Sequence, residues 1–346
     1  MIIWSFNVKL SESEFLRREF NLTLKKISRH DVANLVKKKI LIIATSNIRE
    51  LEEIFDKSKI NQIILFWFGN ETYNVDEYIF LNHYSNKIKI AFIDLYPKKS
   101  MILYSIYSWL GCVLDGGLLF KNQSGSFLRT LKNGLDLRFR VSNLIANYKY
   151  VHFPHGYSSQ FSKVYARLHK LKSTESLIKN PLPRVKKTQV SFVGGTGSWC
   201  RNLALKILEN SSYTKKTVLR SGWGKLRNKD ILEYIFLTCE SVITLCPPGN
   251  ICGKTHRRLE SMLCGSLPIS LPISMQDPND CDSLFNKKNP FNYSWKLLIR
   301  RTSKYSENKI LRMIQTSIDS EVNAIDNVKK ILKETIVAGA GIEPAT

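Results

Sequence analysis

Between Ser241 and Pro268 the chain reads S-V-I-T-L-C-P-P-G-N-I-C-G-K-T-H-R-R-L-E-S-M-L-C-G-S-L-P, which brings glycines, hydroxyls, two adjacent arginines and one carboxylate close together. That order predicts a buried strand, a Pro/Gly loop, a short helix over 255–264 and another strand. Thr255 is a good N-cap for the helix, and Gly265 a natural stop. His256, Arg257 and Arg258 then fall in the first turn, where cations face the positive end of the helix dipole. An anion bound among the helix terminus, the loop from Gly249 to Gly253 and those arginines reverses that cost. On a helical wheel Leu259 and Leu263 share one face, with Arg257 and Glu260 near each other on the far side. Glu260, one turn deeper, is placed to accept hydrogen bonds from a pair of sugar hydroxyls. Such a site suits a nucleoside diphosphate and its ribose. The alternative is a helix whose arginines reach solvent or a neighbouring carboxylate.

Other chemically able residues lie apart from this stretch. His155, in Phe153-Pro154-His155-Gly156, sits at a predicted strand end and is the candidate general base, with His152 and Asp115 as rivals. Gly194-Gly195-Thr196-Gly197 follows a predicted strand but lacks the spacing of a dinucleotide fingerprint. It either lets the backbone approach a ligand or simply turns tightly. Asp280-Cys281-Asp282 lies in a polar loop, where two carboxylates are usually solvated, so no metal site is expected.

The elements that must position these groups alternate along the chain. Apolar, β-branched runs at 40–44, 63–68 and 88–93 are separated by charged or helix-like sequence, and 150–153 reads as a last strand of the first half. This spacing argues for parallel βαβ units. A connection rich in Lys, Arg, Ser and Thr, broken by Pro181 and Pro183, follows. Strands are then predicted at 189–193, 217–220, 242–245 and 267–271. Helices are predicted at 199–208 and 230–238, and one or two at 310–333. The last residues, 338–346, are small and almost uncharged, and are expected to lie outside the fold.

Composition narrows the classes. The 346 residues are 43 % hydrophobic and carry 52 Lys plus Arg against 29 Asp plus Glu, a formal charge of +23. Wholesale disorder is excluded, and anionic partners are favoured. The basic doublets are spread along the chain, with no helix-turn-helix, zinc-finger or RNP-type motif, so nucleic acid is not the expected partner. Seven cysteines without C-x-x-C spacing read as reduced thiols in a cytoplasmic protein. No signal peptide is expected at the start. Residues 101–120 are nearly long enough for a membrane span, but Gly111, Asp115 and Gly116-Gly117 interrupt them, and burial in an α/β domain is the expectation.

The 241–268 stretch resembles the donor-binding signature of exostosin-like glycosyltransferases, in which a Tyr precedes S-x-F-x-L-x-P-x-G, S/T-x-R-x-x-E-A and G-x-I-P-V. Tyr234, Leu245, Pro247, Gly249, Thr255, Arg257, Glu260, Gly265 and Pro268 fall in register. Asn289-Pro290-Phe291 with Trp295 is similar to that family's P-F…D-W element, and Val190 to Gly194 with Arg201 to its opening strand. Ile243, Ser261 and Ser294 depart from the pattern, and the likeness covers 189–300. The resemblance implies an α/β, GT-B-like architecture of two Rossmann-like domains with parallel sheets facing across a cleft. Residues 1–165 would form the acceptor-side domain, 166–187 the linker, 188–335 the nucleotide-sugar-binding domain and 336–346 a flexible tail. It implies donor contacts from Gly194, Arg201, Gly249, Gly253, Thr255, Arg257 and Glu260, and no cofactor beyond the donor itself. The base lies outside the likeness, with His155 the candidate and His152 and Asp115 its rivals. The implied partners are a nucleotide sugar and a glycan or lipid-linked acceptor in surface polysaccharide synthesis. The surplus charge adds an anionic membrane surface, which would make the protein peripheral at the inner leaflet.

Overall fold

The computed structural model describes residues 2–6, 13–27, 40–45, 51–57, 62–67, 80–81, 83–93, 149–153, 156–182, 187–195, 199–213, 215–219, 228–247, 256–270 and 294–339. The first half is built on β1 (Ile2–Phe6), α1 (Ser13–Phe20), β2 (Thr23–Lys26), β3 (Ile40–Thr45), α2 (Glu52–Lys57), β4 (Gln62–Trp67), β5 (Ile88–Ile93) and β6 (Lys149–His152). Its strands form one sheet in the order β2-β1-β3-β4-β5-β6, and every pairing is parallel. Parallel strands are covered on both faces, which is why these read as continuous apolar runs. Ile42, Ala44, Ile64, Phe66, Ile90 and Phe92 join a core with Phe15, Phe20, Phe153 and Tyr157. The alternate residues Leu41, Ile43, Ile63, Leu65 and Ala91 are buried too, and by the period of a strand they point to the opposite face.

The second half comprises α3 (Ser159–Leu168), β7 (Thr188–Gly194), α4 (Trp199–Glu209), β8 (Lys215–Leu219), α5 (Asn228–Cys239), β9 (Ser241–Leu245), α6 (Arg257–Leu263), β10 (Leu267–Ile269), α7 (Trp295–Thr302) and α8 (Glu307–Gly339). Four parallel strands stand in the order β10-β9-β7-β8. The expected parallel α/β organisation is present in both sheets. In each, the first strand is internal, the second lies to one side of it and the third to the other.

Several details differ from the sequence reading. Strands β1 and β2 were not expected. Helix α3 runs across position 165, and the segment after it is packed rather than loose, with Leu177 and Ile178 buried. The 310–333 pattern is a single 33-residue helix that continues through Gly339. Residues 101–120, Asp115, His155, Asp280 to Asp282, 289–291 and 340–346 lie outside the described residues. Among the described residues no helix is long and apolar enough to cross a membrane.

Helix α1 organises the junction between the halves. Buried Glu19 accepts from the Tyr157 hydroxyl (2.8 Å), the Leu177 N–H (3.0 Å) and the Ser176 hydroxyl (2.7 Å). Arg18 donates to the carbonyls of Lys172 (2.8 Å) and Glu175 (3.0 Å). Gly156 has φ +69°, and a Cβ there would lie 2.5 Å from Cδ1 and Cγ of the Phe15 ring. Both the backbone conformation and the ring demand glycine. Gly156→Ala is therefore expected to cost about 2–4 kcal/mol in urea unfolding. In a Phe15→Ala background the ring is gone, and only the backbone part, about 1–2 kcal/mol, should remain.

Candidate functional site

In an open parallel sheet, ligands bind beyond the carboxyl ends of the strands, where successive connections leave in opposite directions. In the second half that point lies between β7 and β9, since β8 stands on one side of β7 and β9 on the other. Strand β7 ends at Gly194, and β9 runs into Cys246 and Pro247. Arg257, the first residue of α6, occupies this place. A Cβ on Gly194 would lie 2.7 Å from the Arg257 Cζ and closer still to Nη2, so the absence of a side chain lets the guanidinium lie on the strand end. The Arg257 Cζ also stands 5.5 Å from the centre of the Phe192 ring, within range of a cation–π contact.

Glu260 lies one turn further along α6. It is 1 % exposed, and Arg257 and Arg258 are 2 % and 5 % exposed, so neither arginine reaches solvent. Glu260 Oε1 accepts from the Ser158 backbone N–H (3.0 Å) and the Ser158 hydroxyl (2.8 Å), and Oε2 accepts from the Tyr234 hydroxyl (3.0 Å). Burial holds the Tyr234 hydroxyl well above its ordinary pKa, with the Glu260 charge adding to the effect and the Arg257 charge opposing it. Tyr234 therefore stays a donor at any ordinary pH. The expectation that Glu260 accepts from a pair of hydroxyls has a counterpart inside the protein, since Ser158 and Tyr234 supply two.

Helix α6 is short, and His256, which precedes it, has no side-chain cap bond. Its start is held from outside. His256 Nδ1 lies 3.4 Å from the Gly156 carbonyl, beside the Ser158 contacts to Glu260. At its other end, the Leu263 carbonyl accepts from the Leu182 N–H (2.8 Å) and the Tyr165 hydroxyl (2.9 Å).

Of the residues singled out in the sequence, the structure brings together Gly194, Arg257 and Glu260. Arg201 sits half-buried on α4. His152 is the last residue of β6. His155, Gly249, Gly253 and Thr255 lie outside the described residues. Among the described residues no cluster of His, Cys, Asp or Glu is suited to a metal. Ser158 went unnoticed in the sequence. Its place as N-cap of α3, where it accepts from the Phe161 N–H at 3.3 Å, was legible, but its bond to Glu260 was not. Tyr234 stood out only as the first residue of the signature.

The chain matches no protein-family profile and no curated protein. Among solved structures it is similar to the crystal structure of T4 phage BGT in complex with its UDP-glucose substrate, at 12 % sequence identity and a TM-score of 0.44, over 98 % of this chain and 99 % of that one.

Proposed function

We propose that this protein is a glycosyltransferase of GT-B type that moves a sugar from a nucleotide-sugar donor to a glycan or lipid-linked acceptor, in the synthesis of a surface polysaccharide. The observation that carries the reading is the Arg257 guanidinium lying on Gly194 at the carboxyl end of β7, where the sheet connections diverge. A cation fixed there is suited to a diphosphate. The in-register likeness of 241–268 to a donor-binding signature supplies the sugar. As the bond from the sugar carbon to phosphate breaks, its electron pair leaves with the phosphate oxygen. Arg257 neutralises the charge that develops there. The acceptor hydroxyl oxygen forms the new bond to that sugar carbon and loses its proton to a base, for which His155, next to Gly156 in the sequence, is proposed. Gly194, Arg201, Gly249, Gly253 and Thr255 are proposed as further donor contacts. In this reading the positive charge at the leaving group comes from the arginine, and no metal is proposed.

UDP or GDP is expected to stabilise the protein by about 2.7 kcal/mol at one hundred times its dissociation constant. No thermal shift at millimolar nucleotide would refute the assignment, and tight sequence-selective DNA binding would instead favour a basic nucleic-acid-binding protein. Arg257→Ala should slow transfer roughly a hundredfold, about 3 kcal/mol. Its melting curve must be recorded alongside, since the side chain is buried.

Gly194→Ala keeps the charge but displaces the guanidinium, and should reduce nucleotide affinity while the chain stays folded. Arg258, about 100° further round the helix, should cost stability when replaced by Ala without the same loss of affinity. Equal nucleotide binding by the wild type and the Gly194→Ala variant would place the diphosphate elsewhere.

The charge of +23 supports association with an anionic leaflet, where lipid-linked acceptors reside. The exposed Lys296, Arg300 and Arg301 of α7 are one contribution. Co-sedimentation with phosphatidylglycerol vesicles should fall as salt rises. Equal binding to neutral vesicles would contradict it.

A further inference from the structure

We infer that Glu260 is a positioning residue that locks the 156–158 segment onto the helix bearing Arg257, and that Ser158 and Tyr234 are its partners in that role. The inference rests on the proposed anion site at Arg257 and gives Glu260 a different task from holding a ribose.

The first support is occupancy. Both carboxylate oxygens face protein donors at 2.8–3.0 Å, and the group is 1 % exposed. A ribose would have to displace Ser158 or Tyr234, each buried, to take their places. Removing a donor from a buried carboxylate is costly, more so than the loss of an exposed hydrogen bond.

The second support is the weakness of α6 on its own. A helix of seven residues is far below the length that is stable in water, and this one begins without a side-chain cap. Its first residue is Arg257, so whatever fixes the start of the helix fixes the guanidinium. Two contacts do so from the same segment: Gly156 O against His256 Nδ1 (3.4 Å), and Ser158 against Glu260. Tyr234 completes the clamp from α5, and its ring is seated edge-on against Phe161 of α3, with centroids 6.2 Å apart.

The third is the reach of the segment. Between Gly156 and Ser158, Tyr157 donates to Glu19 of α1. Three successive residues thus tie α1 of the first half to α6 of the second. A ligand that pulls on Arg257 pulls, through Glu260, on the segment that follows Pro154-His155 in the chain.

The test is calorimetric titration of the full chain with UDP and, separately, with inorganic pyrophosphate, which has no ribose. Wild type, Ser158→Ala, Tyr234→Phe and Glu260→Gln are compared. If Glu260 positions Arg257, all three variants weaken both ligands by a similar factor, about tenfold, the size of one hydrogen bond to a charged group. Loss of UDP affinity in Glu260→Gln alone, with pyrophosphate unaffected and the other two variants binding as wild type, would make Glu260 a ribose ligand and overturn the inference.

Hydrogen exchange without any ligand gives an independent reading. Tyr234→Phe keeps the ring against Phe161 and removes only the hydroxyl. The lock requires faster exchange at the amides of Tyr157 and Ser158 in this variant, and unchanged exchange there contradicts it. If the wild type bound neither ligand, the anion site would fall while the exchange result still judged the lock.

Discussion

A carboxylate withdrawn from water must be given hydrogen bonds in exchange, and much of this structure follows from satisfying that demand at Glu260. Its donors come from two places far apart in the chain, the N-cap of α3 and the middle of α5. A shift of either α3 or α5 takes a hydrogen-bond donor from this buried charge. All seven residues of α6 are buried, two arginines among them. Charges of opposite sign so close together offset part of the desolvation each would suffer alone. A small helix of this kind exists because of its surroundings, which is the reverse of a helix held by its own propensity.

A similar economy operates at Glu19. That carboxylate collects Tyr157, Ser176 and Leu177, so the chain passing between the two sheets is held by acidic residues on both sides. Apolar packing runs through the same region: Phe15, Phe153, Tyr157, Phe161 and Tyr165 belong to one core with Phe192, Leu259 and Trp295. Burial supplies most of the cohesion there, and the two carboxylates determine which arrangement of these elements is adopted.

The sequence displayed some of this openly. Strands β3, β4 and β5 were legible because both of their faces are buried and their residues are β-branched or aromatic throughout. Strand β2 was not, since three of its four residues are exposed and no apolar period marks it. Strand β1 is a short run whose apolar side chains also resemble other kinds of chain start. In α6 the wheel separated Leu259 and Leu263 from Arg257 and Glu260, yet the fold buries both sides. Periodicity registers which residues are apolar, and it is silent when a polar face is buried against donors a hundred residues away. The proximity of Gly194 and Arg257 was foreshadowed by the resemblance, which puts both at one donor site. In the residues themselves the sign was a glycine at the end of a strand, a signal shared with any tight turn. The bond between Ser158 and Glu260 left no local trace.

Helix α8, about 50 Å long at the usual rise, packs on α6 and β10 and also reaches α1. That contact joins Ser13–Phe20 to a helix that begins only at Glu307. On a ribosome adding about 5–20 residues per second, α1 would wait roughly a quarter of a minute to a minute for the helix that covers it. During that interval the first half is synthesised with part of its surface uncovered and with the Tyr157–Glu19 side of the junction already present. A nascent chain that has not yet presented α8 would therefore leave that surface of α1 open to proteases and chaperones, and loss of α8 would be felt at α1, in the opposite half of the molecule.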